Sequence, residues 1–565
     1  VILRDDHTIR FDDAGRAEHR YRIVAAILKP GAVDDWGTLF VDWRPFYQER
    51  PTIRARVVAP DGSVAEIDPR LFHDTPTVSE SPTIFSDRRQ LQAPLPRLAV
   101  GAVFEEEFVI RGRAPLLAEG EVNRSYIGRG VPVQGNTVTI DAPSKLGVTV
   151  VTRGFAKPPV TRPTTRAGRT TWRFDLGATA ALAGGDAGLP GDQTAYPYIG
   201  VTTGKDWASI ASGYRRLVDG KLKDPFALPP GLKAATQRAT VDRTLAWLHA
   251  NIRYTGIELR DSAIIPFTPA ETVARGFGDC KDKATLLVAL LRASGIPADV
   301  ALVSTGPGND VDRALPGMGE FDHAIVRAKV DGKDLWIDAT EDGLPAGQLP
   351  ARDQGRLALV IAPGTKGLTM TPAPTAADNL VREVRTFTLA ELDWSTVREV
   401  TTERGVYWNN LRDWTRNRKR AEIDKSLAQY VERQYSGTLR AFTADDPGEV
   451  TKPFALVVEV DKVTRAYTSR DQADVYLLPT DTLTRLPDLV DAESKELDGD
   501  VAKRTADYVW HVPHVYEIEN RIVIPPGHDA PPITGAPVKR ALGTMTLTTT
   551  RRMDGGVLVI TYRLD

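Results

Sequence analysis

A two-residue turn between two predicted strands is the feature that most constrains the fold. Residues 321–330 alternate between apolar and polar side chains, as a half-buried strand does. Asp331-Gly332 follows and is a strong signal for a two-residue β-hairpin turn. Residues 333–340 would form the return strand. The sequence therefore predicts an antiparallel hairpin whose register is fixed at the turn.

The register of this hairpin brings one histidine and one carboxylate together. The turn pairs Val330 with Lys333, and this pairing carries His323 opposite Thr340. Asp338 then lies on the same face as a diagonal neighbour of His323. Diagonal neighbours are about 7–8 Å apart at the backbone, within reach of an imidazole and a carboxylate. We therefore predict that the Asp338 carboxylate orients the His323 ring.

Cys280 is the only cysteine among the 565 residues, and it lies where a helix is predicted to begin. Asp279 is a good N-cap, and Asp282 three residues later resembles the second half of a capping box. Behind this cap, residues 284–296 have the apolar spacing of a helix with one buried stripe. The stripe consists of Ala284, Leu287, Val288 and Leu291. Gly295 and the proline after it would end this helix.

The position of Cys280 favours a reactive thiol. A helix N-terminus stabilises a thiolate, and Lys281 and Lys283 add positive charge nearby. The alternative is that Cys280 is a small buried hydrophobe, which is the commoner role of a lone cysteine. The downstream histidine and carboxylate favour the first interpretation, because the three residues together make a Cys–His–Asp arrangement for nucleophilic acyl transfer.

Four stretches between residues 246 and 360 carry a resemblance to a known family. They are Tyr-Thr-Gly-Ile-Glu-Leu at 254–259, Gly-Asp-Cys-Lys-Asp-Lys-Ala at 278–284, Asp-His-Ala at 322–324 and Trp-Ile-Asp-Ala-Thr at 336–340. This segment resembles the transglutaminase-like branch of the papain-like cysteine enzymes, which have the same Cys, His, Asp order. The resemblance implies that Cys280 is the nucleophile, His323 the general base and acid, and Asp338 the orienting residue.

An enzyme of this kind needs donors for the oxyanion that forms when the thiolate attacks a carbonyl. The backbone N–H of Cys280 is one natural donor. In the resembling enzymes a side chain upstream of the nucleophile supplies the second, and Tyr254 and Trp247 are the candidates here. We prefer Tyr254 as the oxyanion-hole residue, with core packing as its alternative role.

The N-terminal region carries a second resemblance. Its stretches are Asp-Trp-Gly at 35–37, Val-Ala-Pro-Asp-Gly-Ser at 58–63 and Phe-Ser-Asp at 85–87. They are similar to the uncharacterised β-rich module that often precedes transglutaminase-like domains in bacterial extracytoplasmic proteins. This resemblance implies an architecture, and it implies nothing about the substrate.

We predict an α+β multidomain protein with three domains. Residues 1–200 would form an N-terminal β-sandwich-like domain, because short alternating runs are separated by Pro, Gly and Asp turns. Residues 201–372 would form the central papain-like/transglutaminase-like α+β domain. Residues 373–565 would form a C-terminal β-rich domain with one helical insertion at 409–435. Limited proteolysis is expected to cut near 183–191 and near 372–377.

The central domain is predicted to contain two further helices, one further strand and a long loop. Residues 232–251 have helical spacing, and Thr268-Pro269-Ala270-Glu271 is a capping box that starts a short helix. Residues 298–303 are expected to form a strand. The Gly- and Pro-rich loop at 304–320 leads directly to His323, and we interpret it as a substrate-binding flap, with a disordered insertion as the alternative.

Composition excludes several classes of function. A net charge of −2 gives no electrostatic footprint for nucleic acid. One cysteine excludes an intrachain disulfide and a multi-cysteine zinc site, and the absence of an 18-residue apolar stretch argues against a membrane span. His511 and His514 flank Pro513, which disfavours a helical metal pair. We therefore expect neither a metal nor a cofactor.

The leading functional prediction is thiol-dependent acyl transfer on a peptide or protein amide. Water as the acceptor would make the protein a peptidase or amidase, and an amine would make it a transglutaminase. The rival is a non-catalytic binding or assembly protein that uses the transglutaminase-like domain as a scaffold. The chain opens at Val1 without Met or a signal-like segment, so we expect a processed or trimmed product. The N-terminal resemblance implies a periplasmic or otherwise extracytoplasmic bacterial protein. No oligomeric state is predicted.

Overall fold

The computed structural model of this chain describes residues 1–77, 83–182, 189–190, 193–306, 310–390, 394–482, 512–533 and 536–565. The chain forms two compact units. Unit 1 contains Val1–Thr340 and Arg356–Thr371, and unit 2 contains Glu341–Gly355 together with the described residues after Thr371. The fold class is confirmed: unit 1 carries a β-rich N-terminal part and an α+β part, and unit 2 is β-rich.

The N-terminal part of unit 1 is built on a mixed sheet that has eight strands among the described residues. Its central strand, Ile2–Phe11, pairs in parallel with Asn136–Pro143 and antiparallel with Ala17–Ala26. Across the sheet, the strands are Thr164–Arg166, Arg169–Asp175, Asn136–Pro143, Ile2–Phe11, Ala17–Ala26, Val103–Arg111, Thr52–Val58 and Val64–Glu66. Alternate side chains such as Ile9 and Phe11 are buried, which gives the sheet one apolar face.

Two smaller sheets accompany the large one. The first consists of Val122–Tyr126, Tyr198–Thr202 and Thr149–Arg153, and the second of Thr38–Trp43, Arg89–Pro94 and His73–Pro76. Side chains of Tyr198–Thr202 share a hydrophobic cluster with Ile9 and Phe11 of the large sheet. Two layers therefore enclose this core, as expected for a sandwich-like domain.

The α+β part of unit 1 places helices against an antiparallel sheet. The described sheet contains Lys333–Ile337, His323–Val330, Ala298–Val303, Leu357–Val360 and Thr369–Met370 in that order. The α-helices of unit 1 in the described residues are Gly31–Asp35, Trp207–Leu222, Gln237–Asn251, Pro269–Arg275 and Cys280–Ala293. Two short parallel pairs join Arg253–Tyr254 to Phe277–Gly278 and Gly256–Glu258 to Ile84–Ser86. The second pair connects the α+β part to the N-terminal part.

The helix Cys280–Ala293, hereafter the cysteine helix, lies at the centre of this arrangement. It contacts the strands Ala298–Val303 and His323–Val330 on one side and three helices elsewhere. Every residue from Lys281 to Leu291 is buried. The single buried stripe expected from the sequence is therefore wrong, because the helix is surrounded by packed elements and buries its polar first turn as well.

Local signals located most helix ends correctly. The capping box at Thr268 and Glu271 is present, and Gly276 ends that helix in the left-handed conformation with φ of 67°. The helix expected at 232–251 begins at Gln237, because the Thr236 side chain caps it by accepting a bond from the Ala239 N–H at 3.1 Å. The helix Trp207–Leu222 was not predicted from the sequence.

Unit 2 is a nine-stranded sheet, counted over the described residues, with helices packed on it. In order, its strands are Thr438–Ala444, Ala455–Thr468, Trp394–Arg404, Leu380–Thr388, Val515–Val523, Val557–Leu564, Met545–Asp554 and Val538–Leu542, with Ala473–Val475 beside Ala455–Thr468. The helical insertion expected at 409–435 is two helices, Asn410–Arg416 and Arg420–Tyr435. Ile423 and Leu427 of the second helix are buried in the core of the sheet.

The three-domain division stays a prediction. The strand Tyr198–Thr202 spans the expected boundary at residue 200 and belongs to an N-terminal sheet. The expected cleavage stretch at 183–191 lies almost entirely outside the described residues, as does His511. Among the helices that the structure describes, none has the length and apolarity needed to cross a membrane.

Candidate active site

Cys280 is the first residue of the cysteine helix, as the capping signal predicts. The Asp279 carboxylate accepts a hydrogen bond from the Asp282 N–H at 3.4 Å, and the Asp282 carboxylate accepts one from the Asp279 N–H at 3.3 Å. This reciprocal pair satisfies two backbone donors at the helix start. Cys280 as a residue is half-buried. The thiol is therefore at the positive end of the helix dipole in a residue that is not fully enclosed.

The charged residues of the first turn are buried, and they are engaged in ion pairs and hydrogen bonds. The Lys281 ammonium is paired with the Asp279 carboxylate, and the Lys283 ammonium donates to the Ile252 carbonyl at 3.1 Å. Burial acts to lower the pKa of Lys281, but the negative charges of Asp279 and Cys280 outweigh it and raise this pKa. Positive charge near the thiol thus comes from Lys281, whereas Lys283 binds the backbone at Ile252, just before the strand Arg253–Tyr254.

Asp282 holds a second element against the helix start. Its Oδ1 atom accepts a hydrogen bond from the Phe267 N–H at 2.8 Å. Burial, followed by the charge of Asp279, raises the pKa of Asp282 to about 6. Phe267 leads into the capped helix Pro269–Arg275, so the carboxylate ties that helix to the first turn of the cysteine helix, two residues after Cys280.

The hairpin register is the one that the turn predicts. Val330 pairs with Lys333, and the pairing continues to Val326 and Ile337. Asp331 and Gly332 have φ of 48° and 79°, so both central turn residues are in the left-handed region that a tight hairpin of this kind requires. The return strand ends at Ile337, which corrects the expected end at Thr340.

His323 and Asp338 are joined by a hydrogen bond just beyond the end of this ladder. The His323 Nε2–H group donates to Asp338 Oδ2 at 3.0 Å. Asp338 Oδ1 accepts two further bonds, from the Thr340 N–H at 2.8 Å and the Thr340 hydroxyl at 2.7 Å. These two bonds turn the chain out of the strand and fix the carboxylate. Thr340 therefore supports Asp338 and is not a strand partner of His323.

The Cys280 thiol is close enough to the His323 ring to raise its pKa, so the ring lies between the thiol and the Asp338 carboxylate. Burial alone would lower the pKa of His323. The hydrogen bonds to Asp338 and Cys280, together with the charges of both, outweigh burial and raise this pKa well above its ordinary value. Burial acts to raise the pKa of Asp338, but the bonds from His323 and Thr340 lower it below its ordinary value. The ring is therefore held as an imidazolium beside a carboxylate.

Tyr254 lies next to the start of the cysteine helix. Its strand pairs in parallel with Phe277–Gly278, which aligns Tyr254 with Gly278, two residues before Cys280. Burial and then the negative charge of Cys280 raise the pKa of Tyr254, which keeps its hydroxyl a hydrogen-bond donor. The same two causes raise the pKa of Tyr214, whose hydroxyl donates to the Ile264 carbonyl at 2.9 Å. Tyr254 therefore stays the preferred oxyanion-hole candidate.

Sequence reasoning missed two residues of this site. Tyr214 belongs to the helix that was not predicted, and no local motif marks it. Thr340 carried a usable signal, because an Asp-x-Thr segment after a strand favours a turn in which the carboxylate accepts bonds from the threonine. The expectation of no metal and no cofactor stays a prediction.

Comparisons with known proteins identify the domains that carry this site. Residues 228–340 match the family model of the transglutaminase-like superfamily, and residues 13–183 match that of DUF3857, a domain of unknown function with a solved structure. The chain therefore contains a transglutaminase-like domain preceded by a DUF3857 domain, in agreement with both resemblances. The transglutaminase-like match supports a general thiol-dependent catalytic role. None of the curated proteins compared with the chain matches it significantly.

One solved structure shares the fold over the whole chain. It is a candidate protease from Parabacteroides distasonis ATCC 8503, with a TM-score of 0.62 and 13% identity over 100% of this chain and 92% of that chain. A candidate cysteine protease from Cytophaga hutchinsonii covers 57% of this chain and 76% of that chain at 12% identity, with a TM-score of 0.15. The M1 zinc metallopeptidase from Deinococcus radiodurans covers 44% and 52%, with 12% identity and a TM-score of 0.19. Only the first similarity is strong enough to show a common fold.

Proposed function

We propose that unit 1 is a thiol-dependent acyl-transfer enzyme that acts on the amide bonds of peptides or proteins. The observation that carries this proposal is the His323–Asp338 hydrogen bond beside the Cys280 thiol, which lies at a helix start and raises the pKa of His323. A structural cysteine has no need of a histidine, and a structural histidine has no need of a buried carboxylate that is itself held by two bonds. The arrangement is the one that activates a thiol for nucleophilic attack.

The first half-reaction would use all three side chains. The Cys280 thiolate attacks the amide carbonyl, a C–S bond forms, and the oxygen becomes an oxyanion. The Cys280 N–H and the Tyr254 hydroxyl would donate hydrogen bonds to that oxygen. The His323 imidazolium then gives its proton to the leaving nitrogen as the C–N bond breaks, while Asp338 keeps the ring oriented. The products are a free amine and a thioester on Cys280.

The second half-reaction decides between two enzyme classes. If water attacks the thioester, neutral His323 takes its proton and a carboxylic acid leaves, as in a peptidase or amidase. If a primary amine attacks, a new amide forms, as in a transglutaminase. We propose hydrolysis as the main reaction. The fold shared with a candidate protease supports this choice by analogy.

The test is to assay three variants on peptide amides with and without an added primary amine. Cys280→Ala and His323→Ala are expected to abolish product formation, and Asp338→Asn to leave a weakened enzyme. Full activity in Cys280→Ala would contradict the mechanism. Amine incorporation in excess of hydrolysis would assign a transglutaminase. If the wild-type protein neither cleaves nor transfers any amide, the rival scaffold function would replace the enzyme.

We also propose that the protein works outside the cytoplasm of a bacterium. A chain with a single cysteine is compatible with an oxidising compartment, because it cannot form a wrong intrachain disulfide. Detection of the protein in the periplasmic fraction of its source cells would test this location, and its recovery with cytoplasmic markers would contradict it.

A further inference from the structure

The segment that leads into the His323 strand is fastened to the N-terminal part of unit 1. We call its described residues, 310–320, the strap. The strap lies against the three-stranded sheet of Val122–Tyr126, Tyr198–Thr202 and Thr149–Arg153. Leu315 in its centre is fully buried. The described residues of this loop are packed against the sheet, and its interpretation as a substrate-binding flap stays a prediction.

Asp312 is the first polar attachment point of the strap. Its Oδ2 atom accepts from Arg153 Nε at 2.9 Å and from the Tyr198 hydroxyl at 2.8 Å. Its Oδ1 atom accepts from the Ala314 N–H at 2.9 Å. These bonds lower the pKa of Asp312 although burial acts to raise it, so the attachment is ionic.

Glycines on the sheet let the strap approach closely. A methyl group at Gly204 would collide with the Pro316 carbonyl oxygen, and one at Gly200 would meet the Leu315 side chain. The Thr202 hydroxyl donates to the same Pro316 carbonyl. The surface of the sheet is thus shaped to the backbone of the strap.

Arg124 and Glu320 form the second attachment point, next to the catalytic strand. The buried Glu320 carboxylate makes an ion pair with the half-buried Arg124 guanidinium, and Glu320 Oε2 also accepts from the Asp312 N–H at 2.9 Å. The Arg124 guanidinium lies over the Tyr198 ring, 4.9 Å from its centroid. Glu320 is three residues before His323. A pair in this place fixes the point from which the His323 strand begins.

The residues between Glu320 and His323 are also held. The Phe321 ring packs edge-on against Trp207, with centroids 5.7 Å apart. The Asp322 carboxylate accepts from the Thr305 N–H at 2.8 Å and from the Thr305 hydroxyl at 3.1 Å. The chain from Glu320 to His323 therefore has little freedom, and a shift at Glu320 is transmitted to the ring of His323.

We propose that Arg124, a residue of the N-terminal part, is a positioning residue for the catalytic pair. Through Glu320 it sets the place of His323 relative to Cys280, so the DUF3857 domain is a working part of the transglutaminase-like site. This inference rests on the proposed function of Cys280 and His323. Arg124 touches no reacting atom, and its effect is on geometry alone.

The experiment measures the rate of Cys280 alkylation by iodoacetamide from pH 5 to pH 9, which needs no known substrate. In Arg124→Met we expect the rate at pH 6 to fall about 100-fold, as for a catalytic pair displaced by about 1 Å. Arg124→Lys keeps a cation and should restore most of the rate. Arg173→Met is the matched control, since Arg173 makes an exposed pair with Asp175 elsewhere in the same domain.

All rates are compared with thermal unfolding curves, so that loss of fold is not mistaken for loss of positioning. If Arg124→Met does not fold, Glu320→Gln replaces it, because the amide keeps the size of the side chain and removes only its charge. Wild-type profiles in the folded Arg124 or Glu320 variants would overturn the inference. A wild-type protein whose thiol reacts only at alkaline pH would overturn the proposed function itself, and with it the role of Arg124.

Discussion

Two buried histidines of unit 1 differ in what their neighbours do to the imidazole. His323 donates to the Asp338 carboxylate, and the neighbouring Cys280 also raises the pKa of the ring. His7 lies in the sandwich core, where its Nδ1 is 2.6 Å from the Ser125 hydroxyl and its Nε2 is 3.2 Å from His19 Nδ1. Both rings are packed and hydrogen-bonded, but only His323 has anionic partners.

The pKa values of the two rings move in opposite directions for that reason. Burial, the charge of His19 and that of Arg129 lower the pKa of His7 well below its ordinary value. Burial also acts to lower the pKa of His323, yet its bonds to Asp338 and Cys280 reverse the sign. Burial therefore does not mark a catalytic histidine, whereas the charge of the groups that it contacts does. His7 is a structural residue by this criterion.

The largest expected effect is on the reactivity of the Cys280 thiol, which should depend on His323 and not on His7. His323→Ala is expected to lower the alkylation rate of Cys280 at pH 6 by about 100-fold or more, since the imidazolium that stabilises the thiolate is lost. His7→Asn should leave that rate within about twofold, because the hydrogen-bond partners of His7, Ser125 and His19, include neither Cys280 nor His323. Equal losses in the two variants would show that the comparison is wrong.

The next effect concerns the residue that gives His323 its charge. Asp338→Asn is expected to reduce kcat/KM on a peptide amide by about 100-fold, because an amide can orient the ring but cannot stabilise the imidazolium. KM should change little. Steady-state kinetics of the purified variant provide the test, with Asp334→Asn as the control, since Asp334 lies on the same hairpin and makes an exposed pair with Lys329. A wild-type kcat would remove Asp338 from the mechanism.

The two imidazole rings should change the pH dependence of stability in opposite directions. The raised pKa of His323 means that its stabilising contribution is complete below pH 6.5 and is lost as pH rises through the folded pKa. The lowered pKa of His7 means that stability is lost as pH falls below 6.5, since the unfolded chain binds that proton first. Between pH 5 and pH 9, the melting temperature should therefore depend less on pH on the alkaline side in His323→Asn and on the acid side in His7→Asn. We expect these variants to differ from the wild-type trend by about 1–4 °C. Parallel curves for all three proteins would contradict the assigned shifts.

The smallest expected effect is a loss of stability at the turn of the hairpin that carries His323. Gly332→Ala is expected to lower the stability of the fold by about 1 kcal/mol, because alanine is strained at φ of 79° although its side chain would have open space there. Cys280 alkylation should stay at the wild-type rate. If alkylation is lost while the melting temperature stays the same, the turn would position His323 directly, in addition to fixing the strand register.

Local chemistry made much of the site predictable. The capping box at Asp279 and Asp282 identified the start of the cysteine helix, and the turn at Asp331-Gly332 set the register that brings His323 near Asp338. Both signals depend on residues within a few positions of one another, so the sequence alone carries them. The roles of Cys280, His323, Asp338 and Tyr254 in catalysis stay predictions that the proposed experiments test.

Features that depend on distant contacts were not predictable. The composition of the strap at 310–320 is typical of a loose loop. It is nevertheless held in place by Arg124 and Arg153, more than 150 residues earlier in the chain. The helix Trp207–Leu222 was missed, although Asp206 caps it by accepting from the Ser209 N–H at 2.8 Å. From the sequence, Lys283 is expected to add positive charge near the thiol, and its complete burial follows only from the elements that surround the cysteine helix.

The central claim is that Cys280 is a thiol activated by His323, and the wild-type pH–rate profile of its alkylation tests this claim most directly. An ordinary free thiol reacts about tenfold more slowly for each pH unit below its pKa near 8.5. The account predicts a rate at pH 6 within about threefold of the rate at pH 8.5, which is the behaviour of thiols that react beside an imidazolium. A rate that falls by more than 100-fold between pH 8.5 and pH 6 would contradict it.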